Sequence, residues 1–366
     1  PAELLGSGAE IRWGGQQLDA LFGALLDSRQ VRKLPVGALL LLLVVYLLVI
    51  GPFDRWILRR TGREMWTWIT FPTYVALFSA LIYVIGYRLR AGDLEWNEIQ
   101  VVDQLPRGTN AAFRGRTWVS VYSPANARYR LASDQPFAAV RTELTASASP
   151  MAGASQRLDI QHAARGFAAE IFVPVWVSQL YCSDWYQSGP VALDARVQPD
   201  PQGHRVRVAN PSFVAFSDMA LVLDGRVHKL GPLAAGATLD RVLPTTEGIP
   251  LHDLLASVRG RALQAAAERR QAFGDSRPAR LNRDVDSLLL ASFAAWPADP
   301  PVPSQDNLHG PPQFDLSDLA GDDGAVLVAW APGHSMAPPL HRFSPRRIQR
   351  DLAIRLAIPP SKPSLP

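Results

Sequence analysis

Cysteine is nearly missing from this chain of 366 residues. Cys182 stands alone, which excludes an intramolecular disulfide framework. Zinc-ligand spacings such as CxxC or HxxxH are missing as well, so no structural zinc module is expected. Charge is scarce: charged residues make up 19% against 48% hydrophobic, and 31 prolines outnumber 26 glycines. That balance excludes a charged disordered chain and a long coiled coil. The net charge of +4 comes from scattered arginines without a lysine-rich block, so the pattern does not ask for nucleic acid. Signatures of catalysis and cofactor binding are also lacking, with no GxSxG elbow, HExxH, P-loop, GxGxxG or EF-hand loop; no enzyme activity, cofactor or metal is expected from them.

What is present is hydrophobic length. Val36 to Phe53 reads VGALLLLLVVYLLVIGPF, 18 residues without a charge, and Met65 to Tyr87 gives 23 more. As helices they reach about 27 and 34 Å, against a bilayer hydrocarbon core of about 30 Å. Trp66, Trp68, Tyr83 and Tyr87 place amphipathic rings at both ends of the second run, as interfacial anchors require. The first run begins too late and runs too long for a secretory signal. Residues 54–64, DRWILRRTGRE, join the spans and carry Arg55, Arg59, Arg60 and Arg63. A connector this short makes the spans antiparallel, and the positive-inside rule sets it in the cytoplasm. The large C-terminal part then lies in the periplasm of a bacterial inner membrane. Gly51 and Pro52 predict that the first helix ends or kinks there, and Asp54 is placed to cap the next segment. With Arg59 or Arg63 beside it, Asp54 alternatively reads as a contact for a partner or a lipid headgroup. Before the hairpin, Leu18, Leu21, Phe22, Leu25 and Leu26 form the stripe of an amphipathic helix, read as the end of a larger upstream domain within residues 1–34.

Gly51-Pro52-Phe53-Asp54, Leu58-Arg59-Arg60, Gly62-Arg63 and Trp66-Thr67-Trp68-Ile69-Thr70-Phe71-Pro72 together resemble the GPxD, LxRxGR, TWxTFP hairpin of a family of bacterial membrane proteins. In that family the hairpin lies between an extracytoplasmic domain and a β-rich domain, and the genes often neighbour those of MoxR-type ATPases and von Willebrand A-type proteins. The resemblance covers roughly residues 35–90 and implies topology rather than chemistry. It departs from the family where Arg55 comes between Asp54 and the aromatic Trp56.

Beyond Arg90 short alternating segments are punctuated by turn residues. Glu98–Asp103, Thr117–Tyr122, Phe137–Arg141 and Ala169–Pro174 read as half-buried strands, and so do Val191–Val197, His204–Val208, Met219–Leu223, Val227–Leu230 and Leu239–Leu243. Their spacing of about ten residues is that of an immunoglobulin-like sandwich. The expected fold is a membrane-anchored, mainly β chain: a hairpin over 35–90, a first β-rich domain over 93–185, an immunoglobulin-like segment over 186–247, a helical segment over 248–296, a proline-rich connector with closing strands over 297–358, and a tail over 359–366. In the helical segment Leu251, Leu254, Leu255, Val258, Ala262 and Ala265 line one face, fitting a helix packed on the sandwich or a basic helix lying on the membrane.

Candidate sites are few. Asp54, Arg59, Arg63, Trp66, Trp68 and Pro72 are read as membrane anchor and partner contact. Trp176, Tyr181, Trp185 and Tyr186 are read as core or as a binding surface. Asp315, Asp318, Asp322 and Asp323 are an exposed turn or a cation site, and Cys182 among aromatics is a packed thiol. His334 beside Ser335 and the dispersed His162, His204, His228 and His252 carry no dyad or metal spacing. These features point to a non-enzymatic scaffolding or accessory subunit whose partners are other membrane-protein subunits and the lipid bilayer. The alternative is an anchored envelope polymer-binding or hydrolytic module.

Overall fold

The computed structural model describes residues 17–27, 36–62, 64–90, 92–107, 110–144, 158–163, 165–269, 281–296, 314–321 and 324–359. Arg63, Asp322, Asp323, the Pro297–Pro312 connector and the tail beyond residue 359 lie outside them. Helix α1 (Gln17–Leu26) is followed by α2 (Val36–Leu48), a π-helical turn over Val49–Phe53, α3 (Asp54–Thr61) and α4 (Thr67–Arg90). The strands are β1 (Glu95–Arg107), β2 (Asn110–Ser123), β3 (Ala127–Ser133), β4 (Ala139–Thr142), β5 (Leu158–His162), β6 (Phe167–Val173), β7 (Val177–Pro190), β8 (Asp194–Asp200), β9 (Gly203–Ala209), β10 (Asp218–Leu223), β11 (Arg226–Lys229), β12 (Thr238–Leu243) and β13 (Ile249–Pro250). Helices α5 (Leu251–Arg269) and α6 (Val285–Ser292) come next, and β14 (Ala325–Pro332) and β15 (Arg347–Ile358) close the chain.

The chain is mostly β with two apolar helices near its start. Nine strands form one mixed sheet in the order β13-β11-β10-β14-β15-β1-β2-β7-β4, and two three-stranded sheets, β12-β9-β8 and β3-β6-β5, complete the set. Within the large sheet only β1 and β15 run parallel, with Glu95 opposite Arg347. This sheet draws strands from the expected 93–185, 186–247 and 297–358 segments alike, so boundaries read from composition do not coincide with sheet boundaries.

Side-chain alternation divides the interior into two cores. Trp96, Val102, Val119, Val121, Leu327 and Ile354 face the two small sheets, where Leu131, Ile171, Val206 and Val208 meet them. Ile99, Val101, Trp118, Val222 and Val328 face the helices. The apolar stripe of α5 is spent there: Leu251, Leu254, Leu255, Val258, Ala262 and Ala265 are all buried. That packing answers the choice between a packed helix and a membrane-surface helix in favour of the first.

The same core takes in α1. Leu18, Leu21, Phe22, Leu25 and Leu26 are buried in it. Phe22 stacks on Trp118 with centroids 3.8 Å apart and meets Phe314 edge-on. Asn97 Nδ2 donates both to Leu26 O, at 3.1 Å, and to Glu95 Oε1. The end of α1 therefore touches the start of β1, and the hairpin is an insertion between two elements of one core.

Of the end or kink expected at Gly51-Pro52, the hairpin helix shows no end. It widens into the π-helical turn, and the Asp54 N–H is shared by Gly51 O and Val49 O before α3 continues. A π turn absorbs the donor that Pro52 lacks and keeps the backbone paired. Asp54 is accordingly inside a continuous helix and not at its start, and Arg55, Arg59 and Arg60 sit on helix rather than in a loop. The turn comes at Gly62, whose φ of 64° is the left-handed C-terminal conformation glycine favours.

The packing of α1 can be tested on the isolated domain. Joining residue 27 to residue 92 by a short glycine-serine linker, with the hairpin deleted, leaves a chain that unfolds cooperatively in urea, whereas residues 92–359 alone lose that cooperativity. Phe22→Ala in the joined chain lowers the unfolding free energy by about 3 to 5 kcal/mol.

Candidate functional site at the hairpin and its stems

Asp54 is buried between the hairpin helices and takes the Tyr74 hydroxyl of α4 as hydrogen-bond partner. Tyr46 and Phe78 meet edge-on at 5.0 Å across the same pair. The expected partnership of Asp54 with Arg59 is thus replaced by one with Tyr74, because the helix carries Asp54 inward and Arg59 outward. Arg55, Arg59 and Arg60 are exposed on α3, with Arg60 over the Trp56 ring at 5.4 Å. Trp66 and Trp68 are exposed, Trp68 to 87%. Pro72 lies within α4, where Thr73 Oγ1 donates to Ile69 O at 2.7 Å and adds a side-chain bond to the turn that Pro72 weakens.

The α1 stem is fixed by buried charge. Asp19 of α1, fully buried, accepts from Trp118 Nε1 (3.0 Å), from Arg141 Nη1 and Nη2 (2.5 and 3.0 Å) and from the Leu144 N–H (2.9 Å). Arg269 of α5 joins Asp27 and Glu143 at 2.9 and 2.7 Å. Its guanidinium lies so close over Gly23 that a Cβ there would collide with it. Burial pulls Arg269 down, but the two carboxylates outweigh it and hold the guanidinium above its ordinary range. Arg283 donates to Leu25 O at 3.0 Å and to Asp351 at 3.2 Å. Two arginines at the carbonyl end of α1 suit the helix dipole, and Arg283 satisfies the Leu25 carbonyl. At the other stem Asp93 pairs with Arg346 and Arg347 at 3.2 and 3.3 Å, and Leu94 O accepts both their N–H groups.

Sequence reasoning missed a polar network on the other face of β1. Trp96 Nε1 donates to Glu98 Oε2 (2.5 Å), and Gln100 Nε2 to Glu98 Oε1 (3.1 Å). His341 Nδ1 donates to Phe343 O at 3.0 Å, which leaves Nε2 to accept from Arg350 at 2.9 Å. Trp96 packs edge-on against His341 at 4.8 Å. Gln100 binds the backbone of Met336 and Ala337, and Gln104 that of Ala192 and Leu193. Both glutamines thereby pin connecting loops to a central strand. The signal was present in the sequence as Glu98, Gln100 and Gln104, polar residues at period two in an apolar strand. Burial pushes the Glu98 carboxyl up, against its hydrogen bonds and Arg350; burial, together with Arg350 and Arg342, pushes the His341 imidazole down.

The other candidates are dispersed. Tyr181 and Trp185 are buried in the core between sheets, Trp176 is half-buried, and Tyr186 projects from the opposite face of β7. They do not form one surface, since alternation along a strand separates positions 185 and 186. Asp315 accepts from the Ala295 and Ser317 N–H groups, both at 2.8 Å, and Asp318 sits in a short helical turn. No cluster of three metal-ligating side chains occurs among the described residues. Cys182 is buried, and burial pushes its thiol up. His334 bonds Pro332 O, His204 faces Asp224 at 3.1 Å and His252 faces Asp253 at 3.2 Å.

No protein-family model and no curated protein sequence matches the chain. Among solved structures it is similar to the yeast delta-COP-I mu-homology domain. In complex with the Dsl1 WxWxV peptide, that domain gives a TM-score of 0.30 at 6% identity, covering 72% of this chain and 96% of the other. Without the peptide the values are 0.27, 8%, 73% and 96%.

The neutral His341 has a testable consequence. A histidine whose folded pKa is depressed contributes stability above its unfolded pKa and loses it as pH falls. Below about pH 6.5 the wild-type chain therefore loses more unfolding free energy than His341→Gln, which cannot take up the proton. Denaturation curves recorded on both sides of that pH read the difference, and parallel losses would refute it.

Proposed function

We propose that the protein is a non-enzymatic, membrane-anchored scaffolding or accessory subunit that presents its β-rich domain to other membrane-protein subunits. The observation that carries this reading is the insertion of an exposed apolar hairpin between α1 and β1, with the α1 stem held by the buried Arg269 pairs and the β1 stem by surface pairs of Asp93 with Arg346 and Arg347. A domain that grips both ends of its own anchor is held at the bilayer without a slack tether. Further support comes from the polar groups, which are engaged in packing: Glu98, Gln100, Gln104, Asp19 and Asp315 all hold backbone or side-chain partners. The immunoglobulin-like reading of the β part is supported by the small antiparallel sheets packed across a shared core from the large one. The polymer-binding or hydrolytic alternative, whose site would be the aromatic cluster with Asp315 to Asp323, is less favoured because Tyr181 and Trp185 are inside the core.

The proposed topology places the Arg55–Arg60 end of the hairpin in the bacterial cytoplasm and the β-rich domain in the periplasm. A cysteine at Arg60 then resists an impermeant thiol reagent in intact cells, while one at Gln202, in the exposed β8–β9 turn, reacts. The reverse pattern inverts the topology. Extraction from native membranes in mild detergent yields stoichiometric companions under the subunit reading; a monodisperse monomer contradicts it.

A further inference from the structure

The first apolar run ends where α3 begins. Its charge-free stretch over 36–53 rises about 27 Å as a helix and nearly fills a hydrocarbon layer of about 30 Å. Asp54 therefore comes at the boundary of that layer, and α3, about 12 Å long, crosses the headgroups. The Asp54–Tyr74 hydrogen bond sets the depth of α4 beside it. Because the chain reverses after Gly62, Arg59 of α3 lies level with Ile69 of α4, and Arg60 with Trp68.

At this depth the hairpin presents cations and rings together. Asp54 and Leu58, one helical turn apart, are both buried, which leaves Arg55, Arg59 and Arg60 on the outer face. Asp54 is the only carboxylate in α3, and it is engaged by Tyr74. Among the described residues no acidic side chain pairs with the three arginines. The outer face is also layered along the helix axis. Phe53 stacks on Trp56 with centroids 6.3 Å apart, and the Arg60 guanidinium lies over the Trp56 ring at 5.4 Å. From phenyl to guanidinium this column climbs about 10 Å. On α4, at the same level, Trp68, Ile69 and Phe71 are exposed. Three uncompensated guanidinium groups call for an anion, and exposed rings at their depth call for an apolar surrounding.

We propose that the outer face of α3 is a binding site for anionic phospholipid, with Arg55, Arg59 and Arg60 meeting headgroup phosphates while Phe53, Trp56, Trp68 and Phe71 lie against the upper acyl chains. The inference rests on the membrane reading above. A free phosphate ion would answer the arginines alone. An anionic phospholipid answers arginines and rings together, because it carries both layers in one molecule. Guanidinium suits the task, since its donors meet phosphate oxygens as a fork and its plane stacks on an indole. The inward turn of Asp54 is what leaves these cations free for lipid.

The test reconstitutes the full chain in phosphatidylcholine bilayers with a trace of spin-labelled lipid, the nitroxide on the same acyl carbon under either a phosphatidylcholine or a phosphatidylglycerol headgroup. The motionally restricted part of the electron paramagnetic resonance spectrum reads how much of each lipid touches the protein. The expected result is a preference for phosphatidylglycerol of about threefold. It falls about twofold or more in the chain carrying Arg55→Gln, Arg59→Gln and Arg60→Gln, and Arg59→Gln alone lowers it in the same direction. Arg88→Gln with Arg90→Gln, at the other end of α4, keeps it. An unchanged restricted fraction of phosphatidylcholine shows that each variant is still inserted. Equal restriction of both lipids by the wild-type chain overturns the headgroup site and leaves the anchor intact. A preference that survives the α3 substitutions, or that is lost with Arg88→Gln and Arg90→Gln instead, refutes the assignment to α3. No restricted component for either lipid overturns the membrane reading itself.

Discussion

The carbonyl groups at the end of α1 need donors, and the domain supplies them from elements far away in sequence. Asn97 takes Leu26 O and Arg283 takes Leu25 O, while Arg269 holds Asp27. These contacts oblige a helix that precedes the hairpin to fold with strands that come after it. The placement of the apolar hairpin depends on that closure, because it brings the end of α1 to the start of β1. If α1 detached, Trp118 would lose its stacking partner and its Asp19 acceptor together.

A second constraint lies in the central strand. β1 is covered on both faces, by the small sheets and by the helices, so each polar side chain in it must be satisfied inside the protein. Glu98 and Gln100 do this toward Trp96 and the Met336–Ala337 backbone, and Gln104 toward Leu193. On the helical side Asp103 meets Arg355, which also donates to Ser292 and to Phe314 O. Removing one partner of such a pair leaves an uncompensated buried charge, costing about 3 to 5 kcal/mol. These residues fix loops and helices in register on the sheet, an architectural use of polarity that requires no substrate.

The sequence was legible where a local period dominated. Hydropathy located both apolar helices, and alternation located β6, β9, β10 and β12 within a few residues, while Thr117–Tyr122 covered only the second half of β2. The helical stripe of α5 was likewise visible. At Gly51-Pro52, where the residues predict an end or a kink, the helix does not end, and the irregularity is a π turn. For the aromatic group around Tyr181 the core reading holds at Tyr181 and Trp185, while Tyr186 lies on the other face of the strand. The network joining Glu98 and His341 through Trp96 spans residues too far apart for any local pattern to report.

By itself the sequence determined the apolar length of the hairpin, the scarcity of charge and cysteine, and the β character of the remainder, all consequences of composition and short-range periodicity. Only the tertiary structure decided that α1 belongs to the downstream core, that one mixed sheet unites strands from distant segments, and that Asp54 faces Tyr74. Each of these depends on which distant surfaces meet. Burial and hydrogen-bond satisfaction select that outcome over the whole chain at once, so no window of neighbouring residues contains it.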